Sequence, residues 1–129
     1  MSKFYVELRV DVGGDDYIPH TFIVLTDTNG KSYEYGFAPV KPSLINHGKI
    51  DTDPGHEYQF TTGKIPVSEQ RFNDIKSRAE YDVKHPPFYN LPFGSHCGTW
   101  AANKLGIPDT SSLAPFASAI INSPYTQAI

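Results

Sequence analysis

Residues 20–37 read His-Thr-Phe-Ile-Val-Leu-Thr, then Asp-Thr-Asn-Gly, then Lys-Ser-Tyr-Glu-Tyr-Gly-Phe. A β-branched and aromatic run, an Asn-Gly turn signal and a second aromatic run predict a β-hairpin. Upstream, Phe4, Val6, Leu8, Val10 and Val12 alternate with Tyr5, Glu7, Arg9 and Asp11. That period of two reads as a half-buried strand, and Gly13-Gly14-Asp15-Asp16 turns the chain between the two. Residues 38–55 are rich in Pro, Gly, Asn and Asp. They read as a long connection carrying one short strand near Gly48 to Asp51, and a loop of this length in a small domain is often functional. A further strand is expected over Glu57 to Thr62.

The pattern then changes to a helical period. Ser68 is a plausible N-cap, Val67 can staple onto Phe72, and Phe72, Ile75, Ala79 and Val83 share one face, so a helix is expected from Glu69 to Val83, before Pro86-Pro87. A second helix should begin within residues 95–97, run through Trp100, Ala101 and Leu105, and stop at Gly106 with Pro108 beyond. A third is expected from Ser112 to Asn122, with Leu113, Phe116, Ala117, Ile120 and Ile121 as its apolar stripe and Pro115 in its first turn. The class is therefore α+β, a small antiparallel sheet packed against helices, and 129 residues make one domain, 1–129, the expectation.

Composition narrows the function. With 39% hydrophobic residues, 8 Phe and 8 Tyr, the chain has enough apolar matter for a core. A net charge of -3 without a basic run lacks the footprint of a phosphate-backbone binder, so no nucleic-acid partner is expected. No apolar run is long enough to span a bilayer, and no stable membrane insertion is expected. Lys3, Glu7, Arg9 and Asp11 interrupt the N-terminal region, which does not read as a secretory signal. The single cysteine, Cys97, closes no intramolecular disulfide and completes no thiolate metal cage.

Cys97 falls at a helix N-terminus, where the partial positive charge favours a thiolate. The backbone N–H groups of Cys97 and Gly98 would also be free there to bind an oxyanion. Helix position alone equally suits a small buried core residue. A base must come from His20, His47, His56, His85 or His96. His20 opens the apolar strand, where a scaffold can hold an imidazole rigidly toward the helix, although it also suits a strand cap. His96 adjoins the thiol but points elsewhere, and His85 lies in a Pro-rich loop facing solvent. A third polar group usually orients the base. Glu34, on the return strand, is the first choice and His56 the second; a one-residue register change would turn Glu34 away. His47, Asp51, Asp53 and His56 match no ligand spacing of specific geometry, and neither a metal nor a cofactor is expected. Tyr33, Tyr35, Tyr81 and Tyr89 could line a groove, and core packing accounts for them equally.

The motifs Pro19-His20-Thr21-Phe22-Ile23-Val24-Leu25, Tyr35-Gly36-Phe37-Ala38-Pro39 and Tyr89-Asn90-Leu91 leading into His96-Cys97-Gly98-Thr99-Trp100-Ala101 place a histidine strand 77 residues ahead of a cysteine helix. This order resembles the circularly permuted papain-like branch, the NlpC-type and lecithin:retinol-acyltransferase-like cysteine hydrolases. It is similar to small domains at the ends of Rhs and type VI secretion proteins and to standalone effectors. The resemblance spans Pro19 to Ile107 and implies Cys97 as nucleophile and His20 as general base. In the relatives a His, Asn or similar group on the next strand completes the triad; Glu34 at that position is a departure. Wall-directed relatives cleave amide bonds of peptidoglycan stem peptides, and lipid-directed ones transfer or hydrolyse acyl groups. The resemblance thus implies a thiol-dependent antibacterial effector, a toxin made in the bacterial cytoplasm and carried by a secretion apparatus to a target periplasm, with an immunity protein as partner. The rivals are a lipid acyl hydrolase and a non-catalytic binding module in which Cys97 is buried and inert.

Overall fold

The computed structural model describes residues 3–11, 20–41, 43–90 and 96–106. Seven strands and two helices follow in the order β1 (Phe4–Asp11), β2 (His20–Thr26), β3 (Ser32–Pro39), β4 (Ile45–Asp51), β5 (Phe60–Thr61), β6 (Ile65–Val67), α1 (Glu69–Lys84), β7 (Phe88–Asn90) and α2 (Cys97–Leu105). The chain is thus an α+β domain built on a small antiparallel sheet. The sheet order is β5-β1-β2-β3-β4-β7, with β6 also paired to β1.

Alternation along β1 buries Val6, Leu8 and Val10 as expected. Glu7 is buried as well, its carboxylate bonded to Arg9 and to the Thr61 hydroxyl. The hairpin forms between β2 and β3, with Gly30 of its Asn-Gly pair left-handed (φ 82°). Asp27 and Lys31 close the ladder through Asp27 N–H to the Lys31 carbonyl at 2.9 Å, so the loop has three residues rather than two. Asp27 Oδ1 accepts from the N–H groups of Asn29 and Lys31, which fixes that geometry.

The strand expected near Gly48 to Asp51 starts earlier, at Ile45, and the one expected over Glu57 to Thr62 shrinks to Phe60–Thr61. Ser68 caps α1 by accepting from Arg71 N–H, and Phe72, Ile75 and Ala79 are buried on one face. Arg71 and Arg78 of α1 donate to the carbonyls of Leu105, Asn103 and Lys104, which holds the C-terminal turn of α2 against α1. Asp82 is buried between them, accepting from Trp100 Nε1 at 2.8 Å and pairing with Lys104 at 2.7 Å. Tyr35 and Tyr89 belong to the core rather than to a groove, and Tyr81 faces solvent. The helix expected over residues 112–122, and Val12, lie outside the described residues. Among the described residues no helix is long and apolar enough to cross a membrane.

Candidate active site

The register of β2 sends Thr21, Ile23 and Leu25 toward the helices, with His20, Phe22 and Val24 on the other face. Pairing of β2 with β3 ends at Phe22↔Gly36, after which β3 runs on against β4. The Thr21 backbone N–H donates instead to the Cys97 Sγ at 3.4 Å. Seventy-six residues apart in sequence, the two meet so that the sulfur lies one peptide unit from the His20 backbone.

The entry of α2 is fixed by His96. Its Nδ1 accepts from Gly98 N–H at 3.1 Å and Thr99 N–H at 3.5 Å, while the Thr99 hydroxyl accepts from His96 N–H at 2.9 Å. This capping box commits the His96 ring to holding the helix start, so its Nδ1 is not the base. It also engages the Gly98 N–H proposed from sequence as an oxyanion donor. That N–H serves an oxyanion only by sharing its hydrogen with the cap.

Cys97 is 3% exposed. Burial pushes the thiol above its ordinary value, and the N–H groups of Thr21, Gly98 and Cys97 itself, with the Thr21 side chain, draw it only part of the way back. The thiolate favoured by helix position alone is therefore corrected. Desolvation outweighs the helix terminus, and the sulfur rests as a thiol. The hydroxyl of Thr21 belongs to the same spot. Thr21 is 1% exposed, and its Oγ1 is buried without a hydrogen-bond partner among the described residues. Such an orphan ordinarily costs about 1–3 kcal/mol.

On the opposite face the His20 ring stacks on Phe22, with centroids 5.7 Å apart, and lies 5.1 Å from the His56 ring. Its Nε2 reaches over Gly36, where an added Cβ would lie 2.6 Å away. Together His20, Phe22, Glu34, Gly36, Asp51, Asp53 and His56 line one cavity. Both choices for a third member are thus brought to the histidine. Glu34 spends its carboxylate on the turn that follows β4, accepting from Gly55 N–H at 2.8 Å and His56 N–H at 3.4 Å. His56 Nε2 lies 3.2 Å from Asp11 Oδ2, and Asp11 pairs directly with His20 across β1 and β2.

The remaining histidines lie elsewhere. His47 packs edge-on to Phe88, and His85 stacks on the exposed Tyr81. Among the described residues no three His, Cys, Asp or Glu side chains are grouped to hold a metal ion. Sequence reasoning missed Thr21, Gly36 and Asp11. The signals were a hydroxyl at an inward position of an apolar strand, a glycine inside a strand, and a carboxylate opposite the candidate base. Comparisons with family models, curated proteins and solved structures give no match.

Proposed function

We propose that the chain is a cysteine hydrolase of the permuted papain-like, NlpC-type arrangement that cleaves an amide bond of the peptidoglycan stem peptide. The observation that carries the reading is the 3.4 Å hydrogen bond from Thr21 N–H to the Cys97 Sγ, which ties the start of the histidine strand to the start of the cysteine helix. Of the two ring nitrogens of His20, Nδ1 is the nearer to its own backbone, which lies one peptide unit from the sulfur. The Nε2 end extends over Gly36 into the cavity. In this reading Nδ1 takes the Cys97 proton as sulfur attacks the carbonyl carbon. The resulting tetrahedral oxyanion collapses, the C–N bond breaks, and His20 returns the proton to the leaving amine. Water then hydrolyses the thioester by the same route. His56, held by Asp11 and presented by the turn that Glu34 fixes, steadies the Nε2 end, with Glu34 acting through the turn.

Delivery by a secretion apparatus into a target periplasm, and an immunity protein as partner, belong to the same proposal and rest on the motif resemblance. Digestion of purified sacculi is the test. New amine termini are expected from the unaltered chain and none from Cys97→Ala or His20→Ala. Release of fatty acid from mixed phospholipids without new amines would move the assignment to acyl-lipid hydrolysis. Digestion that persists in Cys97→Ala would end the cysteine-hydrolase reading altogether.

A further inference from the structure

A thiol that rests protonated in a buried site must become an anion for an instant when it attacks, and the surroundings have to receive that charge. Four donors of this site bear on the sulfur, the N–H groups of Cys97, Gly98 and Thr21 and the Thr21 hydroxyl. The first N–H groups of α2 point toward it, but the Gly98 N–H is shared with the His96 ring. The Thr21 N–H donates to it directly. The last is the Thr21 side chain, which favours the anion as the N–H groups do, while its Oγ1 is fully buried without a hydrogen-bond partner among the described residues at rest. Ile23 and Leu25, on the same face of β2, are completely buried and apolar, so packing alone offers no reason for a hydroxyl there. Valine would fill the same space. Native interiors rarely tolerate an idle buried donor, and a donor idle at rest is useful where charge develops later.

We infer that Thr21 is a further residue of this site, its hydroxyl held in reserve to donate to the anion that forms on the Cys97 sulfur, alongside its own backbone N–H. The inference rests on Cys97 being the nucleophile. The other ionisable groups on the elements packed around α2 leave this task to Thr21. His20 serves as the base in this reading and packs its ring on Phe22, and His96 spends Nδ1 on the helix start. On β3, Glu34 is bonded to the turn after β4, and Tyr33 lies against Phe72. Tyr35 of β3 is bonded to Glu80 of α1, and Asp82 of α1 to Trp100 and Lys104 of α2.

The test needs no substrate. Cys97 is the sole cysteine of the chain, so thiolate absorbance followed against pH, with Cys97→Ala as blank, reports this sulfur alone. Thr21→Val should move the titration up by about one pH unit, which is about tenfold less thiolate at any pH below the midpoint. Thr21→Ser should restore the original curve. Thermal unfolding of Thr21→Val should occur at or above the temperature of the unaltered chain, because an orphan hydroxyl has gone. Superimposable titrations of the two proteins would overturn the inference. So would a shift in Thr21→Ser as large as in Thr21→Val, or a loss of thermal stability in Thr21→Val that Thr21→Ser does not share, since the hydroxyl would then already be bonded at rest. If the shift is found and sacculi stay intact, the anion-binding role of Thr21 stands and only the hydrolase assignment falls.

Discussion

Gly36 is where the position of His20 can be perturbed with least harm to the rest of the fold. A Cβ on residue 36 would lie 2.6 Å from His20 Nε2, 3.1 Å from its Cε1 and 3.1 Å from the Phe22 Cβ. Comfortable contact needs about 3.5–4.0 Å, so the end of the imidazole must retreat by about 1 Å while Phe22 gives a few tenths. Gly36 is not one of the glycines with positive φ, and alanine meets no backbone strain there. The atom in the way is the far end of a side chain at the edge of a cavity, so the ring turns aside. Overpacking of this kind costs about 1–3 kcal/mol. Displacing a catalytic group by about 1 Å costs about 100-fold in rate. Gly36→Ala should therefore remain folded, with a modestly lowered melting temperature, and lose about 100-fold in kcat/KM for amine release from sacculi. Unfolding and turnover would be followed on the same preparation. A folded Gly36→Ala protein that digests sacculi at the original rate would refute the claim that His20 acts from above Gly36.

Gly48→Ala makes a contrasting case, because its Cβ would lie 2.2 Å from the Pro87 carbonyl oxygen and 2.3 Å from the buried Phe37 ring, neither of which can turn away. It should lose about 3 kcal/mol, or fail to accumulate as folded protein, by urea unfolding. Asp82→Ala strands Lys104 in a nearly buried position and deprives Trp100 of its acceptor, for a loss of about 3–5 kcal/mol. Asp82→Ala combined with Lys104→Met should recover part of that. Burial raises the titration of both Cys97 and Tyr35, with the Glu80 carboxylate adding to the effect on the phenol. The unfolded chain therefore releases these protons first, and stability is complete below the ordinary thiol value of about 8.5 and declines as pH rises above it. Cys97→Ala should flatten the early part of that decline and Tyr35→Phe the part that begins near about pH 10, as read by urea unfolding across the alkaline range.

The elements whose periodicity is local were legible in the sequence. The first strand, the hairpin, Ser68 with its helix, and Cys97 at a helix start each depend on residues within a few positions of one another. The short strands β6 and β7 were not, because three residues carry no usable period and their pairing is decided by distant partners. Asp82 lies outside the apolar stripe by which the first helix was read. Its burial depends on Trp100 and Lys104 arriving from α2, which no pattern within α1 announces. The same limit applies to the site. His20, Glu34, His56 and Cys97 could be singled out by residue type and place. That the first three share a cavity while the sulfur takes a backbone N–H at the edge of β2 followed only from the register of β2 and β3.

That arrangement bears on how such a site would work. A thiolate formed permanently at a helix terminus is favoured by exposure, and the burial of Cys97 favours the neutral thiol. Its proton must leave at the moment of attack, so the rate should depend on the base and on whatever receives the charge rather than on the resting ionisation of the sulfur. His20 meets the first requirement only if its ring is held, which explains why a residue without a side chain lies beneath its Nε2. Thr21 meets the second from the opposite side of the same strand, one residue along. In this reading the two tasks fall to neighbouring residues whose side chains leave the β2 edge on opposite faces, His20 for the proton and Thr21 for the anion, with the sulfur at the edge between them. A slip of β2 by one residue would exchange those faces and lose both at once.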